Sequence, residues 1–338
     1  MTDAVRPALT AVLGVLAVAI TGCGGGSGVG GSASPDVASV LKGKIAFTLT
    51  RQNASSNVAV LTLPDRTIQE LTTDGNSGEP VWSPDGRKIA YSYLTGDYDI
   101  RVMRADGTRQ RSLTSDGSSQ SPTWSPDGTR IAFAGYRGTD FRDLAIYVMN
   151  ADGSDVKRLT RGTRAYYMQP AWSPDGGEIA FACCRTGDAE IYVMNSDGTN
   201  VRRLTREPRD DDQPAWSPDG SRIAFHSLRS DWHGVYVMNR DGGGVRLVYG
   251  GAAATQALRP AWAPNGRQIA LSGGGIVAVS ADGDPHPRQL TEPGWMEVHA
   301  APDWWGRRPA TASRDDAGQN TPSLVMGTVA RQPWLPLG

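Results

Sequence analysis

Short apolar runs separated by polar turns recur along most of the 338-residue chain. The runs are rich in β-branched and aromatic side chains and are bounded by Pro, Asp or Gly, a pattern typical of β-strands. In one of them the alternate residues Ile146 and Val148 are apolar, and so are Tyr147 and Met149 between them. Both faces of the small sheets that contain such strands are therefore expected to be covered by protein.

The apolar runs belong to a longer phrase that the chain repeats. A Trp-x-Pro-x-Gly segment opens each copy, and its tryptophans lie 42 to 48 residues apart. The copies are VWSPDG (Val81–Gly86), TWSPDG (Thr123–Gly128), AWSPDG (Ala171–Gly176 and Ala215–Gly220) and the divergent AWAPNG (Ala261–Gly266). Self-similarity at this period predicts a repeat fold, with four short antiparallel strands in each unit.

The opening segment has the composition of a tight turn. In Ser83-Pro84-Asp85-Gly86, proline presets one backbone angle, the aspartate can accept a backbone N–H, and glycine supplies a left-handed residue. We therefore interpret the repeated Trp and Asp residues as packing and turn residues, in preference to a polar site.

The two ends of the repeat region complement each other. The first copy starts at its second strand, near Gly43, and Pro302-Asp303-Trp304 is an opening strand with nothing after it. Together they complete one unit. The sequence thus predicts an all-β fold, a six-bladed β-propeller of four-stranded antiparallel blades over residues 43–306, in which N-terminal strands pair with a C-terminal strand and close the ring.

The full phrase W-S-P-D-G-x-x-I-A-F, I-Y-V-M-N-x-D-G and L-T resembles the WD-repeat-like repeat of the TolB-like β-propeller family, over about four-fifths of the chain. The resemblance implies the propeller. It leaves the function open, since that repeat serves periplasmic interaction proteins, peptidase propellers and some polysaccharide lyases.

The N-terminal region has the features of an export signal. Arg6 precedes an apolar run, Ala8–Ile20, and Ile20-Thr21-Gly22-Cys23 resembles the bacterial lipoprotein box. Residues 1–22 are predicted to be a lipoprotein signal peptide, with Cys23 lipidated and anchored to a membrane. An ordinary cleaved signal is the alternative. Residues 23–42 are predicted to be a Gly/Ser-rich linker, and residues 307–338 a Pro-containing disordered tail.

Loops of irregular sequence are predicted to gather on one face of the propeller, where binding residues usually lie. Aromatic and arginine side chains suited to protein or glycan contacts occur there: Tyr136, Arg137, Phe141, Arg142, Tyr166, Tyr167, Arg185, Arg229, Trp232, His233, Trp295 and His299. The residues before each Pro-x-Trp are predicted to ring the mouth of a central channel: Glu79, Ser121, Gln169, Gln213, Arg259 and Ala301. A merely solvated face is the alternative.

Enzymatic signatures are sparse. His226, His233 and His299 could share the irregular face, but they have no metal-ligand spacing, and neither a nucleophile elbow nor a phosphate loop occurs. No cofactor or metal is predicted. A net charge of −1 argues against nucleic acid as a partner. Adjacent Cys183 and Cys184 are predicted either to form a vicinal disulfide or to stay as free thiols.

These features predict a monomeric, lipid-anchored propeller in the bacterial cell envelope, on the extracytoplasmic side, that binds a protein or a glycan through its irregular face. The alternative is a propeller hydrolase or lyase that acts on an envelope or environmental polymer.

Overall fold

Twenty-four β-strands form six antiparallel sheets of four strands each in the part of the chain that the structure describes. The structure is a computed structural model, and it describes residues 41–51, 55–94, 96–115, 118–136, 144–161, 165–184, 187–229, 233–250, 259–272, 275–283, 287–291 and 298–305. These residues belong to one compact unit, Ala38–Gly338. They include no apolar helix of the length that a membrane crossing requires. The all-β, six-bladed architecture confirms the predicted fold.

Blade 1 contains strands from both ends of the described chain. Its strands are β1 (Gly43–Thr50), β2 (Ser56–Leu63), β3 (Thr67–Glu70) and β24 (Val298–Trp305). In this sheet β24 pairs with β1 in antiparallel register, from Lys44 opposite Trp305 to Thr50 opposite Val298. The sheet order is therefore β24-β1-β2-β3.

The other five blades are simple meanders in chain order. Blade 2 contains β4 (Ser77–Trp82), β5 (Lys88–Leu94), β6 (Tyr98–Arg104) and β7 (Arg111–Ser112). Blade 3 contains β8 (Ser119–Trp124), β9 (Arg130–Gly135), β10 (Ala145–Asn150) and β11 (Lys157–Arg158). Blade 4 contains β12 (Tyr167–Trp172), β13 (Glu178–Cys183), β14 (Glu190–Asn195) and β15 (Arg202–Arg203). Blade 5 contains β16 (Asp211–Trp216), β17 (Arg222–Ser227), β18 (Gly234–Asn239) and β19 (Arg246–Gly250). Blade 6 contains β20 (Ala261–Trp262), β21 (Gln268–Ser272), β22 (Ile276–Ser280) and β23 (Arg288–Gln289).

The hydrophobic core lies between blades, because each sheet buries both of its faces. In β10, Ile146 and Val148 pack in a cluster with Trp172 and Phe181 of blade 4. Tyr147 and Met149, on the other face of β10, pack in a second cluster with residues of blade 2 such as Val102. The two apolar parities of the strand thus serve two different interfaces, as the sequence pattern predicts.

The turns between the first and second strands have the same hydrogen bonds in four blades. Ser83 Oγ donates to Asp85 Oδ1 at 2.7 Å and accepts the Lys88 N–H at 2.9 Å. The bond from Ser83 holds the pKa of Asp85 below its ordinary value. Equivalent bonds occur at Ser125, Ser173 and Ser217. Because blades are meanders, the turns between third and fourth strands lie at the same edge, and we call this edge the turn end.

The threonine of the Leu-Thr segment that closes the repeat also has a recurring role. Its hydroxyl accepts a backbone N–H from the I-Y-V-M-N-type strand of the same blade at 2.9 to 3.0 Å, as Thr160 does from Ile146. The same bond is made by Thr72, Thr114, Thr205 and Thr291. This bond satisfies a buried donor at the edge opposite the turn end.

Candidate functional site: the central channel and its mouth

A cavity of about 660 Å³ runs along the axis of the propeller. The first strands of the blades line it, with their Pro-x-Trp-x-Pro segments forming most of the wall. The tryptophans that reach the cavity are only 6 to 8% exposed in the described blades. Arginines also cover faces of some of these rings, as Arg130 does at Trp172 and Arg222 at Trp262. The wall therefore combines apolar and polar surface, and arginines cover the aromatic faces of Trp172 and Trp262.

Five residues at equivalent positions form what we call the mouth ring: Glu79, Ser121, Gln169, Gln213 and Arg259. They lie near the start of the first strands, at the edge opposite the turn end, and all five line the cavity. The position in blade 1 is Ala301. Five of the six residues predicted to ring the mouth thus line the cavity, and they are of four different residue types.

Four members of the mouth ring have left-handed backbone. The φ angles of Glu79, Ser121, Gln169 and Gln213 are 52° to 55°, which non-glycine residues adopt uncommonly. At each of them the register shifts by a β-bulge, as between Gly78 and Val81. A bulge turns the chain locally and re-aims a residue. Here the repeat uses it to place unlike side chains at the channel.

The bulged geometry also joins neighbouring blades. Glu79 Oε2 accepts the backbone N–H of Ser121 at 3.0 Å, and it accepts the Ser121 hydroxyl at 3.0 Å. Gln169 Oε1 accepts the backbone N–H of Gln213 at 2.9 Å in the same manner. The side chain of one ring residue therefore binds the backbone of the next, so the ring connects blade 2 with blade 3 and blade 4 with blade 5.

The one ion pair of the mouth ring joins Glu79 to Arg259. The two residues belong to the blades on either side of blade 1. Burial alone would raise the pKa of Glu79, but Arg259 and the hydroxyls of Ser92 and Ser121 outweigh it and hold that pKa below its ordinary value. Glu79 is therefore an ionised carboxylate whose oxygens are occupied by four donors of the protein itself.

Asp303 lines the channel one position beyond the Pro of blade 1. Its Oδ2 accepts the Trp82 N–H at 2.7 Å, across the junction of blades 1 and 2. Burial raises the pKa of this carboxyl to about 6, and only the Trp82 hydrogen bond opposes the rise. The equivalent residues in the other blades are Val81, Thr123, Ala171, Ala215 and Ala261.

Tyrosines flank the mouth ring on the face formed by the blade links and the loops between second and third strands, which we call the variable face. Tyr98 is 42% exposed and Tyr166 is 41% exposed. Burial raises the pKa of Tyr98, with Glu79 adding to the rise and Arg259 opposing it, so Tyr98 stands beside the ion pair. Tyr136 and Tyr166 are neighbours, and burial raises the pKa of Tyr136. Tyr136 and Tyr166 were among the predicted binding residues, whereas Tyr98 was not.

Two predicted binding residues have structural contacts instead of free surfaces. Tyr167 is buried and packs against Phe181, because it occupies an inward-facing position of β12. Arg229 binds Asp211 at 2.7 Å and stacks over Phe225 and Tyr236. Tyr167 is the first residue of β12, whereas Arg229 follows the end of β17 and is held by Asp211 of β16.

His233 belongs to a hydrogen-bonded chain with two other polar residues. His226 Nδ1 lies 2.8 Å from Asp212 Oδ1, and His226 Nε2 lies 2.9 Å from His233 Nδ1. Burial lowers the pKa of His233, as does the adjacent His226, while Asp212 opposes the change. Asp212 and His226 are cross-strand partners in β16 and β17, which brings them together. The described residues contain no His, Cys, Asp and Glu cluster arranged for a metal ion.

No disulfide joins Cys183 and Cys184 in the structure, and Cys183 is buried while Cys184 is partly so. Burial, together with the carboxylates of Asp210 and Asp212, raises the pKa of Cys184 to about 11. A thiol with such a pKa is a poor nucleophile at neutral pH.

The remaining predicted site residues lie outside the described residues. They are Cys23, Arg137, Phe141, Arg142, Arg185, Trp232 and Trp295. His299 lies in β24, opposite Leu49, and its side chain is not described.

Asp303 is the residue of the channel that sequence reasoning missed as a candidate. The signal was present: when the six Pro-x-Trp segments are aligned, the middle position holds a carboxylate in this copy and small or apolar residues elsewhere.

Comparison with known proteins gives a family and a fold. The sequence profile of the family described as the TolB beta propeller domain matches residues 32–170 and 96–292. No curated protein matches the chain.

Three solved structures illustrate the likeness of fold. TolB from Acinetobacter baumannii superposes with a TM-score of 0.66 at 23% identity, over 78% of this chain and 66% of that one. A chain of the nidogen/laminin complex gives 0.60 at 12% identity, over 77% and 98%. Oligogalacturonate lyase in complex with manganese gives 0.52 at 16% identity, over 73% and 75%. At these identities the likeness concerns the fold alone.

Proposed function

Because the chain belongs to the TolB β-propeller domain family, we propose that it is an interaction scaffold of the bacterial cell envelope. In this proposal a lipid on Cys23 anchors it to a membrane on the extracytoplasmic side. The variable face and the mouth ring then bind a partner protein. The observation that carries the proposal is the contrast within the repeat, since the blades share their turns but differ at the mouth.

The exposed tyrosines support a protein partner. Tyr98 and Tyr166 present large amphipathic side chains at the mouth, and tyrosine is enriched among the residues that dominate protein interfaces. Glycan binding through stacking is less well supported by the channel itself, because its tryptophan faces are covered.

Affinity purification from crosslinked envelopes tests the binding role. The variant Tyr98→Ala/Tyr166→Ala should lose one specific partner, while Val201→Ala/Leu247→Ala should retain it. Val201 and Leu247 are matched controls, since they are 51% and 50% exposed and lie on the outer part of blades 4 and 5. Equal recovery of all proteins by the two variants would reject the variable face as the binding surface.

Metabolic labelling with a fatty acid tests the anchor separately. The full chain should incorporate the label and sediment with membranes, and Cys23→Ser should do neither. Membrane association that persists in Cys23→Ser would reject the lipid anchor.

A second candidate function is that of a hydrolase or lyase, and the Asp212–His226–His233 chain favours it. With Asp212 accepting from His226 Nδ1–H, and His226 Nε2 accepting from His233 Nδ1–H, Nε2 of His233 would carry a lone pair suited to proton abstraction. Screening acidic polysaccharides for cleavage tests this function. Activity that disappears in His233→Gln and persists in Tyr98→Ala/Tyr166→Ala would establish it, and absence of cleavage would leave the scaffold.

A further inference from the structure

Asp303 has no structural counterpart in the other blades. The five equivalent positions hold Val, Thr or Ala, and their blades are built without a carboxylate there. The Trp82 N–H occupies one oxygen of Asp303. The other oxygen, Oδ1, has no hydrogen bond to any residue that the structure describes. A carboxylate that is largely removed from water without a counter-cation is costly unless something pairs with it.

The charges around Asp303 do not supply that partner. Among the described lining residues, Glu79, Arg259 and Asp303 are the ionisable ones. Arg259 is paired with Glu79, and the pKa of Asp303 reflects burial and the Trp82 bond with no contribution from a cation. Among the described lining residues, Asp303 is therefore the one charge without an opposite charge beside it near neutral pH.

A second unsatisfied acceptor lines the same cavity. Gln213 Oε1 is buried and has no hydrogen bond within the described part of the chain. The cavity thus offers acceptors to an entering group, while the prolines and tryptophans of its wall offer apolar surface.

We infer that the channel binds an alkylammonium group, and that its source is a lysine side chain that a partner protein inserts through the mouth ring. The source rests on the proposed function, whereas the ammonium site itself does not. Asp303 lies two residues beyond the ring position of its strand, about 7 Å along β24. The four-carbon stem of lysine can span such a depth against the prolines and tryptophans of the wall and place its charge at the end.

The geometry favours lysine over arginine and over a metal ion. A guanidinium binds carboxylates best through two parallel bonds, and Trp82 already occupies one oxygen of Asp303. A metal ion needs several ligands, and the described residues contain no such cluster.

A titration with lysine surrogates tests the site. The probe is Nα-acetyl-lysine N-methylamide, and its uncharged twin is Nα-acetyl-norleucine N-methylamide, which has the same carbon stem without the ammonium. The readout is the NMR resonance of the Trp82 backbone amide, which donates to Asp303. At pH 7 the lysine derivative should shift this resonance saturably, and the norleucine derivative should bind at least tenfold more weakly.

Two further comparisons isolate the charge. Asp303→Asn keeps an acceptor for the Trp82 N–H and should weaken binding of the lysine derivative at least tenfold, while Asp106→Asn, at the turn end, should not. In the native protein, binding should weaken about thirtyfold between pH 7 and pH 4.5, as Asp303 becomes protonated. The pH series needs no variant, so it decides the matter if Asp303→Asn fails to fold.

Several results would overturn the inference. These are equal binding of the two derivatives, native-like binding by Asp303→Asn, or tighter binding of calcium chloride than of the lysine derivative. Tighter binding of leucine N-methylamide, which offers an α-ammonium, would indicate that the channel binds the N-terminus of a chain and not a lysine side chain. If the probe fails while a partner is still lost from Tyr98→Ala/Tyr166→Ala, only the ammonium site is rejected and the scaffold function stands.

Discussion

The turn end and the mouth ring are two edges of the same repeated strands, and they use the repeat in opposite ways. At the turn end Ser83, Ser125, Ser173 and Ser217 make the same bonds in four blades. At the mouth four positions share their backbone geometry, with φ near 53°, but their residues are Glu, Ser, Gln and Gln, and the fifth position holds Arg. The identical serines at the turn end stabilise the scaffold. The different side chains at the mouth, on similar backbone, give the channel its polar and charged groups.

The largest expected effect comes from breaking the turn end. Gly153 has a φ of 96°, and an added Cβ would lie 2.7 Å from the Leu113 carbonyl oxygen. Gly153→Ala should therefore cost about 3 kcal/mol of unfolding free energy, from backbone strain and overpacking together. Gly96→Ala is the matched control, because Gly96 has a φ of 101° and nothing within 4 Å of the added atom. It should cost about 1 kcal/mol. Equal losses in urea denaturation would contradict a steric role of the turn glycine.

The second effect compares a mouth-ring residue whose side chain joins blades with one whose side-chain oxygen does not. Glu79→Ala removes the partner of Arg259 and the acceptor for Ser121, so it should cost about 2–3 kcal/mol. Gln213→Ala should cost less than about 1 kcal/mol, because its side-chain oxygen accepts no bond from the described residues. Chemical denaturation measures both. If the two variants were equally stable, the ring would not hold the blades together.

A third effect distinguishes the mouth from the turn end by its pH dependence. The pKa of Asp303 is raised to about 6 from an ordinary value of 3.8, so the native state holds this proton more tightly than the unfolded state. Its contribution to stability is therefore greatest below pH 4 and is lost as the pH rises through 6.

Asp303→Asn removes this dependence, because the amide does not titrate. It should raise the free energy of unfolding by about 1–2 kcal/mol at pH 7.5 and change it little at pH 4. Thermal unfolding across this range measures the difference. Destabilisation at pH 7.5 would indicate that the Asp303 charge is compensated within the protein itself.

The smallest effect returns to the turn end. Ser173→Ala should cost about 1 kcal/mol, since the hydroxyl bonds to Asp175 and to the Glu178 N–H are lost. The divergent turn of blade 6 already has Ala263 there and retains the bond from the Arg267 N–H to Asn265. Ala263→Ser should therefore gain a few tenths of a kcal/mol in the same assay. A loss would show that the divergent turn has repacked around alanine.

The fold was predictable because the same sequence pattern repeats in each blade. Ile146 and Val148 on one face of β10, and Tyr147 and Met149 on the other, indicated that both faces are buried. The Pro-Asp-Gly turns indicated where the strands begin and end. The position of the mouth ring also followed from topology. Its bonds between blades did not, because they depend on left-handed backbone at Glu79 and its counterparts, which sequence does not reveal in non-glycine residues.

The side-chain environment of the variable face was harder to predict. Tyr167 and Arg229 are aromatic and basic residues of the kind that bind partners, yet strand pairing and Asp211 engage them internally. The approach of His226 to Asp212 could have been predicted from their cross-strand register, had the strand ends been known. Where a strand adjoins an irregular loop, its exact end is not evident from the sequence pattern, so the contacts of the side chains there cannot be predicted.

Photo-crosslinking at the two edges tests the central claim most directly. Benzoylphenylalanine would replace Tyr98 or Tyr166 at the mouth, and Arg109 or Val201 in turns between third and fourth strands, in the full chain within intact cells. The account predicts a discrete adduct from the mouth positions and none of that size from the turn end. The same adducts from both edges, or an adduct from the turn end alone, would contradict it.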